Sequence, residues 1–285
     1  MNIFPIIQFI GESTLSFYPI LIKLTKLDVP FNTFIRLATY FILASLFSNY
    51  DIISNISIYK ILFLSVVNII HILASYHGNR NLNTTIGVPL FYVYPFINII
   101  LGILFLNETI SSTKFLFIGP ILYSIYKLYL NNKDDNQHKQ NLKVGIPLIL
   151  LAAFTESLIY ITIKTTELGF NPWNSIFITY FFAAIIYTIH YFNSNKISEI
   201  KKLYYDNKPD VHKLIFANMF IGLFGYAFRF MSIKRVPTLL YTVISYTGIS
   251  SAILFGAYFN LDTINGNKIF WIICLILSLI GLKIY

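Results

Sequence analysis

The chain is short of charge. Only 12% of its 285 residues are Asp, Glu, Lys or Arg, against about 25% in an average soluble domain. So few charges cannot cover a water-facing surface, which excludes an ordinary soluble domain. Cysteine is nearly absent too. The single Cys274 cannot form an intrachain disulfide, so no disulfide scaffold holds the fold. No GxxxxGK[ST] phosphate loop occurs, which argues against direct ATP drive. There is no HExxH and no repeated acidic metal motif, and Asp134-Asp135 reads as a solvated charge run in a polar linker. A membrane-embedded enzyme has little to work with, and no catalytic residue, cofactor or metal is expected. The N-terminal MNIFPIIQFIGESTL lacks the basic start of a signal peptide and carries Glu12 in its apolar stretch, so it reads as a retained first span.

What is abundant is apolar side chain: 56% hydrophobic and 18% aromatic, with a mean hydropathy of +0.67. A membrane is the solvent that suits this composition. In lipid every backbone N–H and C=O must pair internally, so only helices or a closed barrel can span. Barrel strands alternate apolar and polar residues over ~10 residues. The apolar runs here last about 20 residues, the length of a membrane helix. Ten spans follow, at roughly 3–23, 32–48, 57–76, 84–106, 112–130, 143–167, 173–192, 212–232, 238–259 and 267–285. The longest polar loops are 131–141 and 193–210. The net charge of +9 is read as basic loops facing cytoplasm or lipid headgroups rather than nucleic acid.

The chain repeats itself. Thr84 to Lys127 is an apolar run, a polar hinge and a second apolar run, and it returns as Thr238 to Lys283. Glu108-Thr109-Ile110 then Lys114 matches Asp262-Thr263-Ile264 then Lys268 at an offset of 154, which also lays Tyr92 on Tyr246 and Gly102 on Gly256. The fronts of the halves repeat as well. Glu12-Ser13 corresponds to Glu156-Ser157, and Pro30-Phe31-Asn32 to Pro172-Trp173-Asn174. The expected architecture is an all-α membrane protein, ten transmembrane helices in two five-helix repeats, 1–130 and 143–285, joined by a polar linker, 131–142. Five is odd, so the second repeat enters from the opposite side. Such inverted repeats place a binding site near the midplane between the halves.

These features together resemble the drug/metabolite transporter superfamily, EamA type. The resemblance rests on Phe34-Ile35-Arg36-Leu37-Ala38 in span two, Pro95 with Phe105-Leu106-Asn107-Glu108-Thr109-Ile110 in span four, Gly119-Pro120 in span five and Val236-Pro237-Thr238 opening span nine. It covers essentially the whole chain. It implies ten helices in two halves and transport of a small organic solute. Sugar-phosphate and nucleotide-sugar antiporters are similar in architecture and form the runner-up reading. A non-transporting membrane sensor or scaffold on the same fold is a further alternative.

Charges inside spans are costly, roughly 2.5–3.5 kcal/mol at the centre, so each needs an account. Polar residues fall on single helical faces: Glu12, Ser16, Pro19 and Lys23 on span one; Ser65, Asn68, His71 and Ser75 on span three; Glu156, Tyr160 and Lys164 on span six; Asn218, Gly222, Gly225, Arg229 and Ser232 on span eight. Lipid would reject these stripes, so they are expected to face inward and line a solute path. The candidates for substrate binding or coupling are Glu12, Ser16, Asn68, His71, Tyr92, Glu156, Tyr160, Lys164, Arg229 and Tyr246. Glu12 and Glu156 form a symmetry-related carboxylate pair suited to binding a cation or exchanging a proton. Arg229 is suited to an anionic group because its guanidinium stays charged, and His71 to a proton relay. Arg36 and Lys23 lie near span ends and are expected to snorkel. Pro89 and Pro95 free backbone carbonyls and suit a kink or gate. Glu108 and Asp262 sit at the hinges and are expected to cap helix starts. The expected partners are a small-molecule substrate and the lipid bilayer, with a homodimer left open.

Thirteen basic residues fall in the odd-numbered loops, those opposite the termini, and five on the face of the termini. By the positive-inside rule both termini lie away from the cytoplasm. The family resemblance implies the reverse, and orientation is left open.

Overall fold

The computed structural model describes residues 3–25, 27–109, 111–133, 141–169, 171–193, 197–259 and 265–284, and every regular element among them is helical. In chain order these are α1 (Phe4–Leu15), α2 (Tyr18–Leu24), α3 (Val29–Phe47), α4 (Tyr50–Ile53), α5 (Ile58–Asn81), α6 (Thr84–Phe91), α7 (Tyr94–Leu106) and α8 (Ser112–Lys133). The second half holds α9 (Leu142–Lys164), α10 (Pro172–Asn193), α11 (Ile197–Asp206), α12 (Lys208–Phe216), a π-helical turn (Ala217–Gly222), α13 (Leu223–Ile233), α14 (Thr238–Ser245), α15 (Thr247–Tyr258) and α16 (Gly266–Ile284).

Among the described residues, seven stretches are long and apolar enough to cross a membrane: Val29–Phe47, Ile58–Asn81, Ile86–Leu106, Leu142–Lys164, Pro172–Asn193, Lys208–Ile233 and Thr238–Tyr258. The first expected span is split between α1 and α2, where Pro19 opens the second piece. Phe115–Leu128 and Gly266–Ser278 are shorter apolar stretches. The polar 193–210 stretch is not a plain loop: it contains α11. Its apolar Ile197, Ile200, Leu203 and Tyr204 recur at helical spacing.

The repeat seen in the sequence is a repeat of contacts. The side-chain amide of Asn32 donates to Leu27 O (3.3 Å), and that of Asn174 to Leu168 O (2.9 Å), so the matched asparagines tie the loop to the next helix in both halves. α5 of the first half packs along α9 of the second, and α13 of the second along α1 of the first. α3 pairs with its counterpart α10, and α8 with α16. The expected spans four and nine are both interrupted, at Tyr92 between α6 and α7 and at its match Tyr246 between α14 and α15. α6 lies against α15 and α7 against α14. The matched helices therefore cross antiparallel, as repeats of opposite orientation require.

The outer faces stay apolar. Leu104, Phe105, Phe216 and Phe220 are exposed large hydrophobics. Removing them from water is worth about 25 cal/mol per Å² of apolar surface, and a lipid surround supplies that transfer where protein does not. The polar stripes face the other way. Glu12, Ser16, Asn68, His71, Glu156, Asn218, Arg229 and Ser232 are all buried.

Candidate functional site

The centre of the molecule is an ion cluster drawn from both halves. α1 and α13 approach closely because both crossing faces carry glycine. A Cβ at Gly11 would come within 3.0 Å of Gly225 O. That approach brings Glu12 to Arg229. Arg229 Nε donates to Glu12 Oε1 at 2.8 Å and Nη2 to Oε2 at 2.6 Å. The remaining fork nitrogen, Nη1, donates to Glu156 Oε1 from α9. One guanidinium thus joins the two symmetry-related carboxylates. Tyr94 OH donates to Glu12 Oε2 (3.2 Å) and Ser245 Oγ to Oε1 (3.3 Å). Gln8 Nε2 reaches Tyr241 O and Ser245 Oγ behind them.

His71 of α5 completes the cluster. Its Nδ1 lies 3.0 Å from Ala152 O. A carbonyl only accepts, so Nδ1 carries its hydrogen. Nε2 then faces Glu156 Oε2 at 3.4 Å, an oxygen with no other polar partner. A neutral imidazole and a carboxylate would aim two lone pairs at each other there. A proton held between them would remove the conflict.

Beside the cluster lies a cavity where the centre of a water-sized sphere has about 50 Å³ to move, room for a few waters. Ser16, Arg36, His71, Tyr92, Tyr226 and Arg229 are among its lining residues. Arg36 corrects the sequence reading. It does not snorkel: it is 3% exposed and points into a ring of tyrosines. Nε and Nη2 both donate to Tyr180 OH (3.2 and 3.1 Å), Nη2 also to Tyr226 OH (2.7 Å), and Nη1 reaches Tyr76 OH only at 3.5 Å. The Tyr18 ring lies 4.8 Å from its Cζ and the Tyr40 ring 5.4 Å. Helix position suggested an interfacial arginine. Five tyrosines from α2, α3, α5, α10 and α13 have no common spacing that would have revealed the cage.

Polar latches lie at both ends of the α6–α7 pair. At its C-terminal end, Lys164 Nζ meets Glu108 Oε1 (3.2 Å), Thr238 Oγ1 (2.9 Å), Tyr160 OH (3.2 Å) and Val236 O (3.3 Å). Thr238 in turn donates to Glu108. Glu108 is therefore not in the first turn of α8 as expected. It follows Asn107, the left-handed C-cap of α7 (φ 52°), and its carboxylate joins the end of α7 to α9 and α14. At the opposite end, Lys23 Nζ donates to Thr84 Oγ1 at 2.8 Å. Thr84 and Thr238 are matched positions at the offset of 154, and each opens a broken helix.

The other candidates scatter. Asn68 faces inward but donates to Thr179 O (3.3 Å), holding α5 to α10. Ser16 lines the cavity while its hydroxyl bonds Ser13 O (2.6 Å). Tyr92 lines the cavity and Tyr246 does not, though both belong to one buried apolar cluster. Pro95 opens α7 at the break, and Pro89 lies inside α6. Asp262 lies outside the described residues. Among the described residues no group of three His, Cys, Asp or Glu side chains is arranged to hold a metal ion.

The family model for the EamA-like transporter family matches residues 6–130 and again 143–284. None of the curated proteins compared matches the chain. Among solved structures 27 chains match. One, described only as "Crystal structure of protein", is 10% identical, with 98% of this chain and 95% of that chain covered and a TM-score of 0.65. At that identity the likeness is one of fold. With its two-repeat match and its long apolar helices, the chain belongs to the EamA-like transporter family, a family of membrane transporters, and is an integral, multi-pass membrane protein.

Proposed function

We propose that the chain is a secondary carrier that moves a small organic solute by alternating access between two five-helix halves, 1–130 and 143–285, with ten membrane crossings in all. One observation carries this reading: the buried Glu12–Arg229–Glu156 cluster takes its charges from both halves and stands beside a cavity. A static scaffold gains little from such a cluster, because apolar residues of similar volume do as well or better in a buried site. A rocking carrier has a use for it, since relative motion of the halves is felt directly by the shared charges.

The His71–Glu156 gap is the coupling site. A proton enters it when the cavity faces one side and leaves when the cavity faces the other. The two latches are the gates. Lys164 with Glu108 and Thr238 closes one end, and Lys23 with Thr84 closes the other. The broken pairs α6–α7 and α14–α15, with Pro89 and Pro95 on the first, supply the bend.

Uptake into proteoliposomes tests the reading. The purified chain should support saturable flux and counterflow, and Glu156→Gln should abolish pH-driven uptake while leaving counterflow and yield intact. A folded protein that carries none of a broad solute panel would move the chain to the sensor or scaffold class.

A further inference from the structure

We infer that Arg36, with the hydroxyls of Tyr76, Tyr180 and Tyr226, is a head-group site for a solute bearing one negative charge, a small organic monocarboxylate. The inference rests on the carrier reading above and names its substrate class. Arg36 lines the same cavity as Arg229 and His71. Among the described residues it has no carboxylate within ion-pair reach, and the matched helix α10 brings it Tyr180 rather than an acid. Phenol oxygens accept its hydrogen bonds without cancelling its charge. Nη1 holds only the 3.5 Å contact to Tyr76, so the fork still has donor capacity to offer an incoming oxygen. A lone cation in a membrane interior is costly and is a functional site by default.

The surroundings are built around this ring. The π-helical turn Ala217–Gly222 passes beside it, and Tyr18 OH donates to Asn218 there. Gly222 has no Cβ, and one would collide with the Tyr18 and Tyr40 hydroxyls. Such turns occur frequently at functional sites.

Charge then selects the ligand. The cluster holds two carboxylates and one guanidinium, and Arg36 adds a second positive charge. With a proton in the His71–Glu156 gap the cluster is neutral, and Arg36 is left to take a monoanion. With the proton gone, the extra negative charge of the cluster is offset by an empty Arg36. Only these two states, filled with anion and proton or empty of both, leave the chamber neutral. The charged and titratable groups around the proton site are Glu12, Arg36, Tyr92, Tyr94, Tyr226, Arg229 and Tyr241. One proton therefore moves with one monocarboxylate, without net charge. Leu15, Val88, Phe91 and Tyr92 give the cavity apolar walls, suited to an apolar or aromatic body. A phosphomonoester dianion would leave the filled chamber negative.

The test uses the full chain in detergent with benzoate, hexanoate and lactate, each against its amide, and with phenyl phosphate. At least one carboxylate should raise the melting temperature by mass action while its amide does not, and Arg36→Gln should erase the difference. Losing one charge-assisted bond should weaken carboxylate affinity about tenfold or more in Arg36→Lys and Tyr226→Phe, which serve if Arg36→Gln fails to fold. Stabilisation by none of the three carboxylates, equal stabilisation by an amide, a preference for phenyl phosphate, or unchanged affinity in these variants overturns the inference. Binding without flux in proteoliposomes overturns the carrier reading and leaves the site. Equal flux of carboxylate and amide leaves the carrier and overturns the site.

Discussion

Arg229 and Arg36 line one cavity and are equally buried, at 3% exposure each, yet their partners differ in kind. Arg229 is gripped by two carboxylates, and its charge is spent inside the protein. Arg36 is surrounded by neutral hydroxyls and rings, and its charge is left over. Burial and residue type are therefore poor guides to role here. The counter-charge decides it: the neutralised arginine joins the halves, and the uncompensated one is available to a ligand.

The sharpest way to break this contrast is to remove each cation. Arg229→Met strands two buried carboxylates and should cost about 3–5 kcal/mol, read as a collapse in yield or melting temperature in detergent. Adding Glu12→Gln and Glu156→Gln to it should restore much of the loss. Arg36→Met breaks no carboxylate ion pair. Its stability loss should be smaller than that of Arg229→Met, with carboxylate binding gone. Equal losses in the two variants would erase the distinction.

Smaller changes sharpen it. Gly222→Ala pushes a methyl group into the Tyr18 and Tyr40 hydroxyls and should cost about 1–3 kcal/mol, as overpacking does, with weakened carboxylate binding and an intact Arg229 cluster. Glu108→Gln opens a partly exposed ion pair and should cost at most about 1 kcal/mol. Its readout is faster labelling of a cysteine introduced at Ser245, from the face of the termini, in an otherwise cysteine-free chain.

Much of this could be read from the chain because it follows from local periodicity. The hairpin echo gave the repeat, and the polar stripes on helices one, three, six and eight brought Glu12, His71, Glu156 and Arg229 to one point. What a stripe specifies is inward, not toward the cavity, which is why Asn68 ended in a helix contact. Arg36 departs from the expected snorkelling for a related reason. Distance along a helix measures depth only when the neighbours are lipid, and its neighbours are tyrosines from five helices. The pairing of Glu108 with Lys164 joins residues 56 positions apart on different helices, so charge at a hinge could be seen but its partner could not.

The most direct measurement is proton movement during carboxylate uptake by proteoliposomes under an imposed membrane voltage. The account requires one proton per monocarboxylate, a rate indifferent to voltage, and silence in both Arg36→Gln and Glu156→Gln. Uptake that carries net charge, or that proceeds in Arg36→Gln with its proton still coupled, would contradict it.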